Sequence, residues 1–269
     1  MSQLAAETVL NTITWEADGP VGFIHLNRPD KHNAISIEMM RELRRAVEQA
    51  ALDTDIHVIV LAANGGKSFS AGIDLSAGIL EPAADLKQCM IDDYLPLAES
   101  LQNCNKLIIA SVEGAAIGLA CSLVLLCDQV YLSEQASLNL VFTDLGLVAD
   151  GGANWLLARK VGYNLGLQLL LEAEKLTPER CLALGLASRV FPSERMAESV
   201  RELARKLASR SVMPQAYSKQ LLRAAMDGAS LSEIIHQEAD AQSACVGSPY
   251  FQRAYTRLRS PDPSSKGTS

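Results

Sequence analysis

Two glycine-rich runs constrain this chain most: Gly114-Ala-Ala-Ile-Gly118-Leu-Ala-Cys-Ser122 and Leu145-Gly-Leu-Val-Ala-Asp150-Gly-Gly152. In the first, glycine opens directly into an apolar helix expected over residues 119–127. The leading N–H groups of such a helix have no partner within it and are free to hold an anion. In the second, a single carboxylate, Asp150, sits among Gly, Ala and Val. Proton transfer beside a polarised carbonyl needs both parts: donors where negative charge develops, and a base beside the carbon that loses the proton. Each run also has a plainer use. Either can be a tight turn, and Asp150 can be an N-cap carboxylate for a helix starting near Gly151.

The flanking sequence alternates strand and helix signals. Val9 to Trp15 and Val21 to Leu26 read as two strands joined across Asp18-Gly19-Pro20. From Ser36 to Ala50, the residues Ile37, Met40, Leu43, Val47 and Ala50 share one helical face, with Arg41, Arg44, Arg45 and Glu48 opposite. Ile56 to Ala63 and Leu107 to Val112 are apolar enough to be strands covered on both faces. Residues 76–103 read as helix with a Pro-interrupted start at Leu80-Glu-Pro. Thr177-Pro178 opens a helix that Gly185 ends, and Met196 to Ala208 and Pro214 to Met226 are amphipathic helices. Strand-strand-helix units therefore fill the first two-thirds and helices the last. This gives an α/β core over 1–199, a helical region over 200–259 and a Pro/Ser-rich tail over 260–269 expected to be disordered.

Composition narrows the partners. At 269 residues and 48% hydrophobic, one large core is the expectation. A net charge of −7 argues against nucleic acid or an anionic membrane as partner. Cys89, Cys104, Cys121, Cys127, Cys181 and Cys245 are scattered without a CxxC pair and read as buried thiols of a reducing compartment. The first residues lack a signal-peptide pattern and no apolar run is long enough to span a bilayer, so the expected location is cytoplasmic. His25, His32, His57 and His236 have no ligand spacing, and no metal is expected.

Phe69-Ser-Ala-Gly72-Ile73-Asp74-Leu75 and Gly114 to Ser122 resemble the enoyl-CoA hydratase/isomerase, or crotonase, superfamily. Asn27-Arg28-Pro29 through Asn33-Ala34 resembles its CoA-binding turn, and Gly185 to Phe191 its "GLVxxV" strand, all in the family's order. The resemblance implies an α/β crotonase (ClpP-like) spiral of repeated β-β-α units. Its helical C-terminal extension would mediate a homotrimer or dimer of trimers. It also implies an acyl-CoA thioester substrate, with coenzyme A entering as part of that substrate and no separate cofactor. By the same resemblance the backbone N–H groups of Ile73 and Leu119 form an oxyanion hole, and Gly72, Gly118, Ser122 and Phe142 line the substrate pocket. Arg28, Lys31, Asn33, Ala34, Ala71 and Asp74 fall on the CoA-binding positions. From the residues alone, Asp74 also reads as a local cap and Lys31 as an ordinary surface lysine.

Departures from the family pattern carry the functional expectation. Leu119 stands where hydratases usually have glycine, and Glu113 where the family usually has Asn; the second has no mechanistic account. The two glutamates of the hydratases fall on Ser122 and Phe142, neither of which can be a base. Asp150 is the carboxylate left in that neighbourhood. A single Asp here resembles the 1,2-epoxyphenylacetyl-CoA isomerase type, which also shifts 3-enoyl double bonds. It resembles 4-chlorobenzoyl-CoA dehalogenase too, but the histidine which that enzyme needs is missing from residues 76–106. The resemblance thus implies an isomerase with Asp150 as proton shuttle. The alternatives are an enoyl-CoA hydratase, an acyl-CoA dehalogenase or hydrolase, a non-catalytic acyl-CoA binder, and RNA binding through Arg41, Arg44 and Arg45. Asp144, Glu81, Asp92 and Asp93 read as solvated, and Asp128 as a buried structural partner.

Overall fold

A computed structural model describes residues 10–65, 68–77 and 83–259. The chain divides into two compact units, residues 1–209 and 210–269. In the first, strands β1 (Ile13–Asp18), β2 (Val21–Leu26), β3 (Val58–Ala63), β5 (Leu107–Val112), β7 (Gln129–Ser133) and β10 (Arg189–Phe191) form one sheet in that order. Only the β1–β2 pair is antiparallel. A smaller sheet runs β4 (Ser68–Ser70), β6 (Ala115–Ile117), β8 (Ser137–Asn139), β9 (Lys175–Leu176). Each of three successive turns of chain lays one strand in the large sheet and then a three-residue strand in the small one, as β3/β4, β5/β6 and β7/β8. This repetition is the spiral, and it stacks the loops after β4 and β6 beside each other.

Apolar strands follow from cover on both faces. Ile24, Leu26, Ile59, Leu61, Ile108 and Leu132 face one core cluster, while Val21, Phe23, Val58, Val60, Ile109 and Tyr131 face a second. Helix α1 (Ile37–Leu52) supplies Met39, Met40, Leu43, Ala46, Val47 and Ala50 to the first. It starts at Ser36, whose hydroxyl accepts from the Met39 N–H at 3.2 Å, and the Lys106 ammonium donates to the Ala50 and Asp53 carbonyls at its far end. The remaining helices of this unit are α2 (Ala83–Cys89), α3 (Leu95–Asn103), α4 (Leu119–Leu126), α5 (Ala153–Val161), α6 (Tyr163–Leu171), α7 (Pro178–Ala183) and α8 (Met196–Ala208). Helix α8 covers the second cluster with Met196, Val200, Ala204 and Ala208 and is tied to β1 by Arg201, which bonds Glu16 and Asp18 at 2.9 and 2.7 Å. The unit boundary therefore lies after Ser209, ten residues beyond the boundary expected at 199/200. Residues past 200 complete the core instead of leaving it.

Three other expectations shift. The first strand is Ile13–Asp18, set by its register against Val21–Leu26 across Gly19-Pro20, instead of Val9 to Trp15; Val9 lies outside the described residues. The helix expected over 76–103 contains a π-helical turn, Met90–Tyr94, between α2 and α3, and residues 78–82 lie outside the described residues. Asp93, expected to be solvated, is buried and pairs with Arg41 at 2.6 Å, because the π turn brings Asp93 and Tyr94 inward together. Glu81 and the tail over 260–269 also lie outside the described residues. None of the six cysteines forms a disulfide. No described helix is long and apolar enough to cross a membrane, and no described group of three or more His, Cys, Asp or Glu could hold a metal ion. The second unit holds α9 (Val212–Met226), α10 (Leu231–Val246) and α11 (Pro249–Arg259).

A buried carboxylate holds the entry to this fold. Glu42 of α1 accepts from the N–H groups of Asn11 and Thr12, both at 2.9 Å, and from the Thr12 hydroxyl at 2.6 Å. Glu42→Ala would leave those donors without an acceptor at a covered position. It should cost about 2 to 3 kcal/mol, read as a lower urea midpoint, with Glu42→Gln losing less. An unchanged midpoint for Glu42→Ala would refute this role.

Candidate active site

The site begins with a turn that grips a loop. His32 and Asn33 are left-handed, at φ 49° and 54°. Asn33 is buried: its Oδ1 accepts from the Arg28 N–H at 2.8 Å, and its Nδ2 donates to the Asn64 carbonyl at 2.9 Å. Residues 32–35 then run beside 71–74. The Ala71 N–H donates to His32 at 3.0 Å, the Ile35 N–H to Gly72 at 2.7 Å and the Asp74 N–H to Ile35 at 2.9 Å. This parallel bridge between Ile35 and Ile73 uses the Gly72 carbonyl and the Asp74 N–H on either side of Ile73, and turns the Ile73 N–H away from it. Arg28 locks the same loop, pairing with Asp74 at 2.8 Å and donating to the Ala34 carbonyl at 2.7 Å.

The second donor comes from α4. Gly118 (φ 54°) donates to the Asn139 carbonyl at 2.9 Å, and the helix starts at Leu119, whose N–H lies in the first turn and has no intrahelical partner. The two donors meet because Gly72 has no side chain. A Cβ there would lie 2.6 Å from the Ile117 carbonyl oxygen and 3.7 Å from the Leu119 nitrogen. At φ 89°, Gly72 also adopts a conformation that side chains rarely allow. The Ile73 and Leu119 N–H groups therefore belong to backbone segments in direct contact, the arrangement an oxyanion needs.

A third segment completes the cluster. A Cβ on Gly151 (φ 61°) would meet Leu119 Cδ1 at 2.6 Å, Ser122 Cβ at 2.8 Å and Tyr94 Oη at 2.9 Å. The Ser122 hydroxyl donates to the Asp150 carbonyl at 2.8 Å, and Tyr94 donates to the Gly151 carbonyl at 3.2 Å. Phe142 is buried with its ring 3.9 Å from where a Gly118 Cβ would stand. Among the described residues, Asp150 Oδ1 is one of few buried side-chain oxygens with no hydrogen-bond partner. Burial pushes the Asp150 carboxyl up to about 6, against a small opposing effect of its own backbone N–H. Burial, reinforced by the Asp150 charge, raises Tyr94 above the usual phenol range, so it stays a neutral donor.

The structure thus gathers Gly72, Ile73, Gly118, Leu119, Ser122, Phe142 and Asp150 in one cluster. Of the positions expected to bind CoA, Lys31 and Ala71 are exposed and open to a ligand. Asn33, Asp74 and Ala34 are not: they are buried, with Asn33 holding the turn, the Asp74 carboxylate accepting from Arg28 and Ser76, and the Ala34 carbonyl accepting from Arg28. They can serve a ligand only by shaping the turn. Asp74 is thus the local cap that its position also suggested; desolvation pushes its carboxyl up, but the Ser76 bonds, with the Arg28 pair, outweigh it and hold the carboxyl below the usual range. Asp144 is exposed, Asp128 accepts from the Ile108 N–H at 2.9 Å, and exposed Glu113 has no role that the structure explains. Tyr94 and Asn154 escaped the sequence reading.

Gly72→Ala tests the contact that joins the two donors. The added methyl meets a backbone oxygen that cannot rotate away, so the Ile73 and Leu119 donors must separate. Turnover of an acyl-CoA should fall at least about 100-fold in protein that retains its far-ultraviolet dichroism. Near-normal turnover would mean that these two N–H groups do not act together.

Residues 16–258 match the family model described as enoyl-CoA hydratase/isomerase. The 2,3-dehydroadipyl-CoA hydratase of Escherichia coli K12 is 37% identical over 198 residues, covering 74% of this chain and 76% of that enzyme. The mitochondrial enoyl-CoA hydratase of Pongo abelii is 30% identical over 77% of this chain and 70% of its own length. Among solved structures, an enoyl-CoA hydratase from Polaromonas sp. JS666 superposes with a TM-score of 0.86 at 26% identity, covering 92% of this chain and 96% of that one. The spiral of paired strands, the two backbone donors and these likenesses together establish that the chain belongs to the enoyl-CoA hydratase/isomerase family.

Proposed function

We propose that this enzyme moves a double bond within an acyl-CoA thioester, converting a 3-enoyl to a 2-enoyl ester with Asp150 as the proton shuttle. The observation that carries the reading is Asp150 itself, a carboxylate with a buried, unpartnered oxygen beside the helix start that supplies the Leu119 N–H. The substrate thioester oxygen would accept from the Ile73 and Leu119 N–H groups. Asp150 then takes a proton from C2, and the C–H electrons enter a dienolate whose charge rests on that oxygen. Asp150 returns the proton at C4, the C2–C3 double bond forms, and the oxygen charge collapses back to the carbonyl. One base suffices, and no co-reactant is consumed.

The positions where family hydratases carry their two glutamates hold Ser122 and Phe142. The Ser122 hydroxyl is engaged with the Asp150 carbonyl, and Phe142 presents a ring in place of a carboxylate. Neither position, then, offers a second carboxylate to orient water, and the apolar surfaces of Phe142 and Leu119 disfavour it. The names of the relatives favour the other reading, a hydratase that uses Asp150 with an unconventional second group. Product analysis separates the two.

With wild-type enzyme and 3-hexenoyl-CoA, the expected product is the 2-enoyl ester, with solvent deuterium at C2 or C4 in D₂O. Asp150→Asn should lose at least about 100-fold in rate. Because the base must be ionised, kcat should fall as pH drops through about 6. Rapid formation of a 3-hydroxyacyl ester, or unimpaired isomerisation by Asp150→Asn, would overturn the assignment.

We further infer that coenzyme A enters with the substrate, without a separate cofactor, and that the enzyme assembles as a homotrimer or dimer of trimers. Within residues 210–259, Leu222, Met226, Leu231 and Ile235 are all more than half exposed, which is apolar surface that a second copy could cover. Light scattering at micromolar concentration should give three or six times the 28.9 kDa of the chain. A monomer mass would contradict this.

A further inference from the structure

Three consecutive carbonyls at the catalytic turn are each held by a side-chain donor from a different helical element. Asn154 Nδ2 of α5 donates to the Ala149 carbonyl at 2.6 Å. Ser122 Oγ of α4 donates to the Asp150 carbonyl at 2.8 Å, and Tyr94 Oη, at the end of the π turn, donates to the Gly151 carbonyl at 3.2 Å. The Ala153 N–H adds a second bond to the Asp150 carbonyl at 3.1 Å. Ser122 and Tyr94 are almost fully buried, at 0% and 2% exposure, so neither bond is a surface accident. All three of these carbonyls are thus taken, while a buried oxygen of the Asp150 carboxylate is left without a partner.

The π turn is what delivers Tyr94. Five residues in π geometry, Met90–Tyr94, add local winding to a helix that otherwise continues as α2 and α3, a rare feature found frequently at functional sites. Its effect is to send two neighbours inward at once: Asp93 to Arg41 and Tyr94 to Gly151.

We propose that Tyr94, Ser122 and Asn154 are positioning residues that clamp the Ala149–Gly151 backbone and so hold the Asp150 carboxylate in line with the reacting carbons. The inference rests on Asp150 being the base. None of the three side chains needs to touch substrate. Their work is geometric: a base displaced by about 1 Å from its carbon acid can lose about 100-fold in rate without any loss of substrate binding. Ser122 thereby takes a new use at a position where hydratases of the family carry a glutamate: in place of an acid that handles water, it offers a hydroxyl that steadies the one remaining acid.

The test compares Ser122→Ala, Tyr94→Phe, Asn154→Ala and the Ser122→Ala/Tyr94→Phe double variant with wild type and Asp150→Asn, all on 3-hexenoyl-CoA in D₂O. Each single variant should lower kcat for isomerisation about 10-fold or more, with KM within about twofold. Because Ser122 and Tyr94 hold adjacent carbonyls of one turn, the double variant should lose less than the product of its singles. A loosened turn also admits water to the carboxylate, so the acidic limb of the kcat profile, set near 6 in wild type, should move to lower pH. Among the described residues Tyr94 is the titratable group facing Asp150, with Cys127 beyond it, and burial keeps the Tyr94 phenol neutral across that range. Wild-type kcat in any single variant, a rise in KM alone, or fully multiplicative losses in the double variant would overturn the clamp. If Asp150→Asn is inactive while these variants are normal, only the clamp fails. If Asp150→Asn is active, the base assignment itself fails.

Discussion

The approach of Gly72 to Ile117 sets the geometry on which the rest of the site depends. Two backbone segments from successive turns of the spiral meet where any side chain would force them apart, with 2.6 Å between a Cβ and a carbonyl oxygen. The bridge between Ile35 and Ile73 fixes one segment, and the bond from Gly118 to Asn139 fixes the other. On the proposed reading the donors are the Ile73 and Leu119 N–H groups, and because neither is a side chain, neither can rotate away from a developing negative charge. The reorganisation that water would need has been completed by folding. Arg28, Asn33 and Asp74 extend this outward: they spend their own polar groups on the loop that carries Ile73, which explains why residues that resemble ligand contacts face the protein instead.

Much of this was legible in the sequence. The apolar strands Val21–Leu26 and Leu107–Val112, the Thr177 cap and the helix Met196–Ala208 all follow from local pattern, because each depends on residues within a few positions. The cluster of Gly72, Gly118 and Asp150 came from motif order. What stayed hidden depends on distant partners. Helix α8 reads like any amphipathic helix, and nothing in its pattern says that its apolar face meets Val21 and Tyr131. The π turn has no signature either. A phase shift of about one residue decides whether Tyr94 points at Asp150 or at solvent, and periodicity over residues 76–103 cannot register it.

Asp150 shows what such a site costs the fold. Burial raises its carboxyl to about 6 while the unfolded chain ionises it near the ordinary 3.8. Below the unfolded value both states are protonated and burial costs nothing. As pH rises through the folded value, the unfolded state is favoured by its easier ionisation, so stability is lost across that window and not regained above it. The full difference corresponds to an upper bound of about 3 kcal/mol at neutral pH, and partial exposure of the residue makes the real figure smaller. Strain on this scale persists only where surrounding structure over-determines it. The bonds from Ser122, Tyr94 and Asn154 to the flanking carbonyls are such a surround.

On the proposed reading, chemistry within this family turns on how many carboxylates share the space beside the oxyanion donors. Two acids in contact raise each other's pKa values, and they can divide the labour of activating and orienting water. With Ser122 and Phe142 in those places, the charge density falls to one carboxylate, the space gains an aromatic surface, and water loses its second anchor. A lone base in apolar surroundings still abstracts a proton from a thioester held by two N–H groups. What it must not do is wander, because the same carboxylate has to meet two carbons in turn on one face of the dienolate. Positional control then replaces chemical redundancy, and hydroxyl groups that donate to backbone carbonyls supply it without adding charge that would further perturb the base.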